Sequence, residues 1–216
     1  MSVPGETRGV GRWLPLSGLA FVVIVVVTFA AVAGDTPESD ASAAKVMSFY
    51  QDHQDSQFVS AFLIAAAAPF LVFFGINLSL ALWPSGAGRR PVWPAVLAAG
   101  SAIAAMSFLV AAHGVFAVAD GVDHLSPETL QGLNVLDSDS WIVFNSGLGI
   151  MMLGAAGCLI PRGASARYLG WSALVLGVAL FVPFADFVAL LLTGIWIIVT
   201  SIMQFRDSPA LAASTA

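Results

Sequence analysis

The stretch from Ala95 to Ala119, AVLAAGSAIAAMSFLVAAHGVFAVA, holds 25 residues and one ionisable group, His113. About 20 apolar residues in a helix cross the hydrocarbon core of a bilayer, and backbone in lipid must satisfy its own hydrogen bonds. A run of this length therefore restricts the chain to helices in a membrane. Apolar runs of similar length lie on both sides of it. Over the 216 residues, 58% are hydrophobic and 10% charged, against about 25% charged in soluble domains. Too little polar surface is left to coat a soluble globule.

The runs divide the chain into a polar segment 1–12, a membrane domain 13–204 and a polar tail 205–216 that reads as disordered. Six spans are expected, at residues 13–33, 58–83, 92–119, 141–160, 168–184 and 186–204. The first carries Arg8 and Arg12 ahead of it and Ala31-Val32-Ala33 at its end, as a cleaved signal peptide would. Its apolar core of about 20 residues exceeds the roughly 7–15 of a signal segment, which favours a retained helix. Pro69 is expected to kink the second span. Gly147, Gly149, Gly154 and Gly157 give the fourth a small-residue face for close helix approach. Tyr168 to Gln204 is too long for one helix and fits two short spans with a turn at Pro183–Asp186.

Two acidic loops interrupt the runs. In the first, Thr36-Pro37-Glu38 reads as a helix start, with a capping hydroxyl, proline at the first position and an acid in the first turn. Ala43, Val46, Met47 and Tyr50 follow at helical spacing. In the second, Ser126-Pro127-Glu128 repeats the signal, and Leu130, Leu133 and Leu136 follow. The expected fold is thus all-α: an integral membrane bundle of six transmembrane helices with two short extracytoplasmic amphipathic helices. The two halves form a weak hairpin repeat.

Orientation follows from arginine. Cytoplasmic flanks are enriched in Lys and Arg. Six spans place Arg8, Arg12, Arg89, Arg90, Arg162, Arg167 and Arg206 on one side and only Lys45 on the other. All thirteen acidic residues except Glu6 and Asp207 fall on Lys45's side. Both termini are therefore expected in the cytoplasm and the acidic loops outside a cell (plasma) membrane. Arg in place of Lys, with much Ala, Gly and Val, suits a GC-rich bacterial genome.

Polar groups inside spans face the bundle or a cavity. His113, Asn145 and Asp186 all fall toward the external ends of their spans. With Ser146 they are the candidate lining of an outward-facing cavity. Asn77 lies near the inner end of span two. The plainer reading makes Asn145 and His113 interhelical hydrogen-bond partners and Asp186 a helix cap. Asp52-His53 and Asp123-His124 pair imidazole with carboxylate, but their spacing matches no metal motif, and no metal or cofactor is expected. The single cysteine, Cys158, excludes an intrachain disulfide and a cysteine-based metal cluster.

Asn145-Ser146-Gly147 in a six-span chain is similar to the serine motif of rhomboid intramembrane proteases. Phe144 stands where that motif has glycine, and the last span has no histidine to act as base. No His-Glu-x-x-His or phosphate-binding glycine loop is present, so no catalytic residue is assigned. Eight basic residues against thirteen acidic ones argue against nucleic-acid binding. The hairpins with acidic caps and the stretch PRGASARYLGW, Pro161–Trp171, resemble uncharacterised bacterial, especially actinobacterial, multi-pass membrane proteins. That resemblance implies a membrane bundle and no substrate. The expected function is a non-enzymatic accessory or assembly component. Its partners would be the bilayer and a membrane-protein partner or a second copy. The alternative is a small transporter or channel-like protein for a cation, proton or small solute.

Overall fold

The computed structural model describes residues 13–83 and 92–206. Arg8, Arg12, Arg89, Arg90 and the polar tail beyond Arg206 lie outside the described residues. Among the described residues seven α-helices follow in order: α1 (Ser17–Val27), α2 (Ala43–Ala81), α3 (Val92–Gly121), α4 (Pro127–Asp139), α5 (Trp141–Leu159), α6 (Ala164–Ala179) and α7 (Asp186–Arg206). A 3₁₀ turn, Leu14–Leu16, leads into α1 and a π turn, Thr28–Val32, ends it.

Six of the helices form a ring. α1 packs on α2, α2 on α3, α3 on α5, α5 on α6, α6 on α7, and α7 returns to α1, while α4 lies across α2 and α3. The ring has no open lumen at the level of its aromatic centre. Phe21 of α1 meets Phe108 of α3 at 5.4 Å between centroids, and Phe108 meets Phe144 of α5 at 4.5 Å. Leu71, Phe74, Leu97, Met151, Met152 and Ile197 fill much of the remaining core. Outward, the pattern of a soluble protein is inverted: Phe62, Val110, Ile142 and Val175 are more than half exposed. Such a belt suits a membrane or a protein partner rather than water.

Among the described residues five helical stretches are long and apolar enough to cross a membrane: Leu14–Val32, Ala43–Ala81, Val92–Gly121, Pro127–Leu159 and Asp186–Arg206. α6 has 16 residues, about 24 Å at 1.5 Å per residue against a hydrocarbon core of about 30 Å.

The glycine face of α5 sets the tightest contact. A Cβ on Gly147 would overlap the backbone of Ala104, and one on Gly154 the backbone of Leu97. From the other side, Gly100 lies against the backbone of Met151. Each seven residues down α5 thus matches seven residues up α3, so the two helices run antiparallel in one register. The register continues above α5, where Gly114 faces Asp137 of α4.

One end of the ring gathers both ends of the described chain. Trp13 stacks on Phe205 with centroids 5.5 Å apart, and Asn77 Nδ2 donates to Gln204 Oε1 at 2.7 Å. Here Arg162 donates from Nη1 to the Cys158 carbonyl at 2.6 Å and from Nη2 to the Leu82 carbonyl at 2.8 Å. The guanidinium thereby satisfies terminal carbonyls of α5 and α2 at the negative ends of both helix dipoles.

The other end carries an ordered cap. Its small core joins Ala41, Val46 and Tyr50 with Val118, Ala119, Val122 and Leu130. Three side-chain amides hold the connector between α1 and α2. Gln57 donates to the Ala33 carbonyl at 2.7 Å, Gln131 to Ala41 at 2.8 Å, and Asn134 to Pro37 at 3.2 Å. Ser126, Pro127 and Glu128 start α4 as expected, with the Ser126 hydroxyl accepting from the Thr129 amide at 3.3 Å.

Three expectations change here. Thr36-Pro37-Glu38 does not start a helix; the connector stays irregular to Ser42, which caps α2. The Pro37 and Glu38 carbonyls are engaged by Asn134 instead. The first amphipathic helix starts at Ala43 rather than at Thr36 and runs on into the span as the outer part of α2, the two parts meeting at a kink at His53. Pro69 keeps helical dihedrals, and the departure lies at His53, φ −124° and ψ 16°. There the ring Nδ1 donates to the Phe49 carbonyl at 2.9 Å. The hairpin repeat is correspondingly weak, since only its second half begins with a proline-led helix.

Candidate functional site

Of the four candidate residues, the fold joins two. Asn145 projects from the first turn and a half of α5 and Asp186 opens α7. Asn145 Nδ2 donates to Asp186 Oδ2 at 3.3 Å. Asn145 is 2% exposed and Asp186 8%. The contact depends on where the α6–α7 turn ends. Gly149 of α5 packs against Phe181 and Gly177. One turn further along both chains brings Ala185 opposite Asn145, four residues below Trp141, or about 6 Å. The hairpin therefore stops beneath the top of α5, and its first carboxylate meets the α5 amide.

The carboxylate can only accept, so the amide turns its NH2 toward it. That leaves Asn145 Oδ1 buried with no partner. An orphaned buried carbonyl costs roughly 1–3 kcal/mol. The carboxylate also sits at the positive end of the α7 dipole, which favours it. The pair is thus half capping device and half unsatisfied polar site.

Ser146 and His113 are placed elsewhere. The Ser146 hydroxyl donates to the Ile142 carbonyl of its own helix at 2.9 Å. His113 is exposed. The α3–α5 register, carried upward, sets it level with Ser138, above Trp141 rather than below it. The apolar top of α3 explains the difference: Val115, Val118 and Ala119 bury in the bundle and the cap, not in lipid. Counting depth from Ala119 therefore places His113 too deep by about two turns. Asn77, at the opposite end, is occupied by Gln204.

The Asp-His pairs do not converge. His53 stacks on Phe49 with centroids 4.6 Å apart, and His124 is exposed. Among the described residues no group of three His, Cys, Asp or Glu side chains could hold a metal ion.

Two further features were not singled out by sequence. Asp137 is half-buried opposite Gly114, and burial pushes its carboxyl up to about 6. Tyr50 of the cap core has its phenol pushed up by burial and then by the Asp137 charge. Between α3 and the α4–α5 junction, on the outside of the ring, runs a groove of about 680 Å³. Ile103, Met106, Val110 and Val143 form its floor, with Leu136 and Asp139 toward its upper end.

No family model matches the chain, and no similar curated protein or solved structure was found.

Proposed function

We propose that the protein is a non-enzymatic, six-span component of the plasma membrane, with both termini in the cytoplasm. Its acidic cap is the platform on which a membrane-protein partner assembles. The observation that carries this reading is the construction of the cap. It has its own apolar core and three amide clamps onto the connector. A loop that only linked two spans would need neither. The aromatic contact of Phe21, Phe108 and Phe144 across the ring argues against a polar path between Asn145 and Asn77. For orientation, Arg162, Arg167 and Arg206 support the cytoplasmic assignment of the end opposite the cap.

The test is purification of the full chain in mild detergent, followed by mass spectrometry of copurifying proteins. A protein in fixed stoichiometry, lost on Glu128→Lys at the exposed cap surface, supports the reading. A reporter fused after Ala216 that reads out on the outer side overturns the orientation.

A second reading rests on the Asn145–Asp186 pair, whose unpartnered amide oxygen beside a carboxylate suits a cation or small polar solute entering from the cap side. Flux into vesicles that Asp186→Asn abolishes would establish it in place of the first.

A further inference from the structure

We propose that the groove between α3 and the α4–α5 junction binds one phospholipid with a primary-amine headgroup. Its ammonium lies against Asp139 and an acyl chain runs down over Val110, Val143 and Met106.

The level of the groove is the first argument. The α3–α5 register puts Trp141 opposite Val110, and tryptophan marks the membrane interface. Below that level the wall is apolar: Ile103, Met106 and Val143. At or just above it stands Asp139, flanked in the groove by Leu136, which is 70% exposed. An exposed carboxylate at the interface, next to an apolar wall, presents acceptors to a cationic lipid headgroup.

Among the described residues no Lys or Arg pairs with Asp139. Among the described residues the basic ones are Lys45, Arg162, Arg167 and Arg206. The three arginines belong to the opposite end, and Lys45 sits in the first turn of α2. The charge that complements Asp139 therefore comes from the bilayer, and an ethanolamine-type ammonium is the headgroup cation that can donate hydrogen bonds to a carboxylate.

His113 completes the site. It lies three residues above Val110 and seven above Met106, on the stripe of α3 that forms the groove wall. The register sets it level with Ser138, one position from Asp139. The imidazole is exposed and free to donate to the phosphate that follows the amine in such a lipid. A groove of about 680 Å³ is within the roughly 300–1,000 Å³ range of ligand sites.

The experiment is native mass spectrometry of the full chain from mixed micelles. These contain phosphatidylethanolamine, phosphatidylcholine and phosphatidylglycerol with identical acyl chains at equal mole fraction. One phosphatidylethanolamine per chain is expected to be retained about fivefold over phosphatidylglycerol, the scale of one interfacial ion pair. Asp139→Asn should remove that preference. His113→Leu should weaken the three lipids alike, and Val110→Trp should displace all of them. Asp123→Asn, an exposed cap acid outside the groove, should change nothing. Equal retention of the three lipids, or a preference that survives Asp139→Asn, overturns the proposal. So does a dimer that Val110→Trp dissociates while lipid retention stays constant. Asp139 is exposed, so its variant folds and decides the matter even if the tryptophan variant does not.

Discussion

Replacing glycine by alanine should have opposite signs at two positions of this chain. At Gly154 the added Cβ would fall on the Leu97 backbone, 2.6 Å from its Cα. Both partners are main chain on long helices, so neither can turn aside, and α3 and α5 must separate. Overpacking of this kind costs about 1–3 kcal/mol. At Gly132, in the cap helix α4, nothing lies within 4 Å of the built Cβ. There the alanine gains helix propensity, about 0.5–1 kcal/mol. For a chain of this length 1 kcal/mol moves the midpoint by about 2–4 °C. Gly154→Ala should melt lower by about 2–12 °C and Gly132→Ala higher by about 1–4 °C, read by thermal unfolding in one detergent. A Gly154→Ala protein as stable as the parent would refute the close approach of α3 and α5, and with it every depth assigned from their register.

Arg162→Ala removes two charge-assisted bonds to helix-terminal carbonyls and should destabilise by about 1–3 kcal/mol in the same assay, with Arg162→Lys recovering only part. Asp137 titrates near 6 in the fold against 3.8 for an ordinary aspartate. Its folded-state pKa is raised, so its contribution to cap stability is fully present below about 3.8 and is lost as pH rises through about 6. Hydrogen exchange of residues 127–139 should therefore slow as pH falls from 7 to 5, after correction for intrinsic rates. Asp137→Asn should abolish that trend and protect the cap at pH 7 by about 1–2 kcal/mol, solvent screening reducing the full shift. Asn145→Ala leaves Asp186 without its amide donor and should cost about 2–3 kcal/mol, whereas Asp186→Asn should cost less because it leaves no buried charge.

The all-helical character was legible because long uncharged runs leave few alternatives, and the glycines of α5 fall where neighbouring helices come close. The α4 start was legible because Ser126-Pro127-Glu128 is local chemistry. Thr36-Pro37-Glu38 carries the same local chemistry and fails, because Asn134, 97 residues away in sequence, takes the Pro37 carbonyl. No local pattern reports such a partner. The pairing of Asn145 with Asp186 could be anticipated from a shared external level. The exclusion of His113 could not, since Val118 and Ala119 look equally suited to lipid and to the protein core that they enter. The role of Arg162 exceeds its charge: the topology rule counts it as a cytoplasmic cation, while its two forked bonds join α2 to α5.

The amide clamps on the connector divide the molecule mechanically. Gln57, Gln131 and Asn134 tie the segment after α1 to α2 and α4, so any piston stroke of α1 would have to break bonds at several places at once. α7 is tied along its length to its hairpin partner, where the Trp196 indole donates to the Leu169 carbonyl of α6 at 3.2 Å. It leans on α1 and α6, and near its tips it is pinned where Asp186 bonds to Asn145 of α5 and Gln204 to Asn77 of α2. If this bundle rocks, its moving part is the last hairpin, swinging about those two pins while the remaining helices hold still.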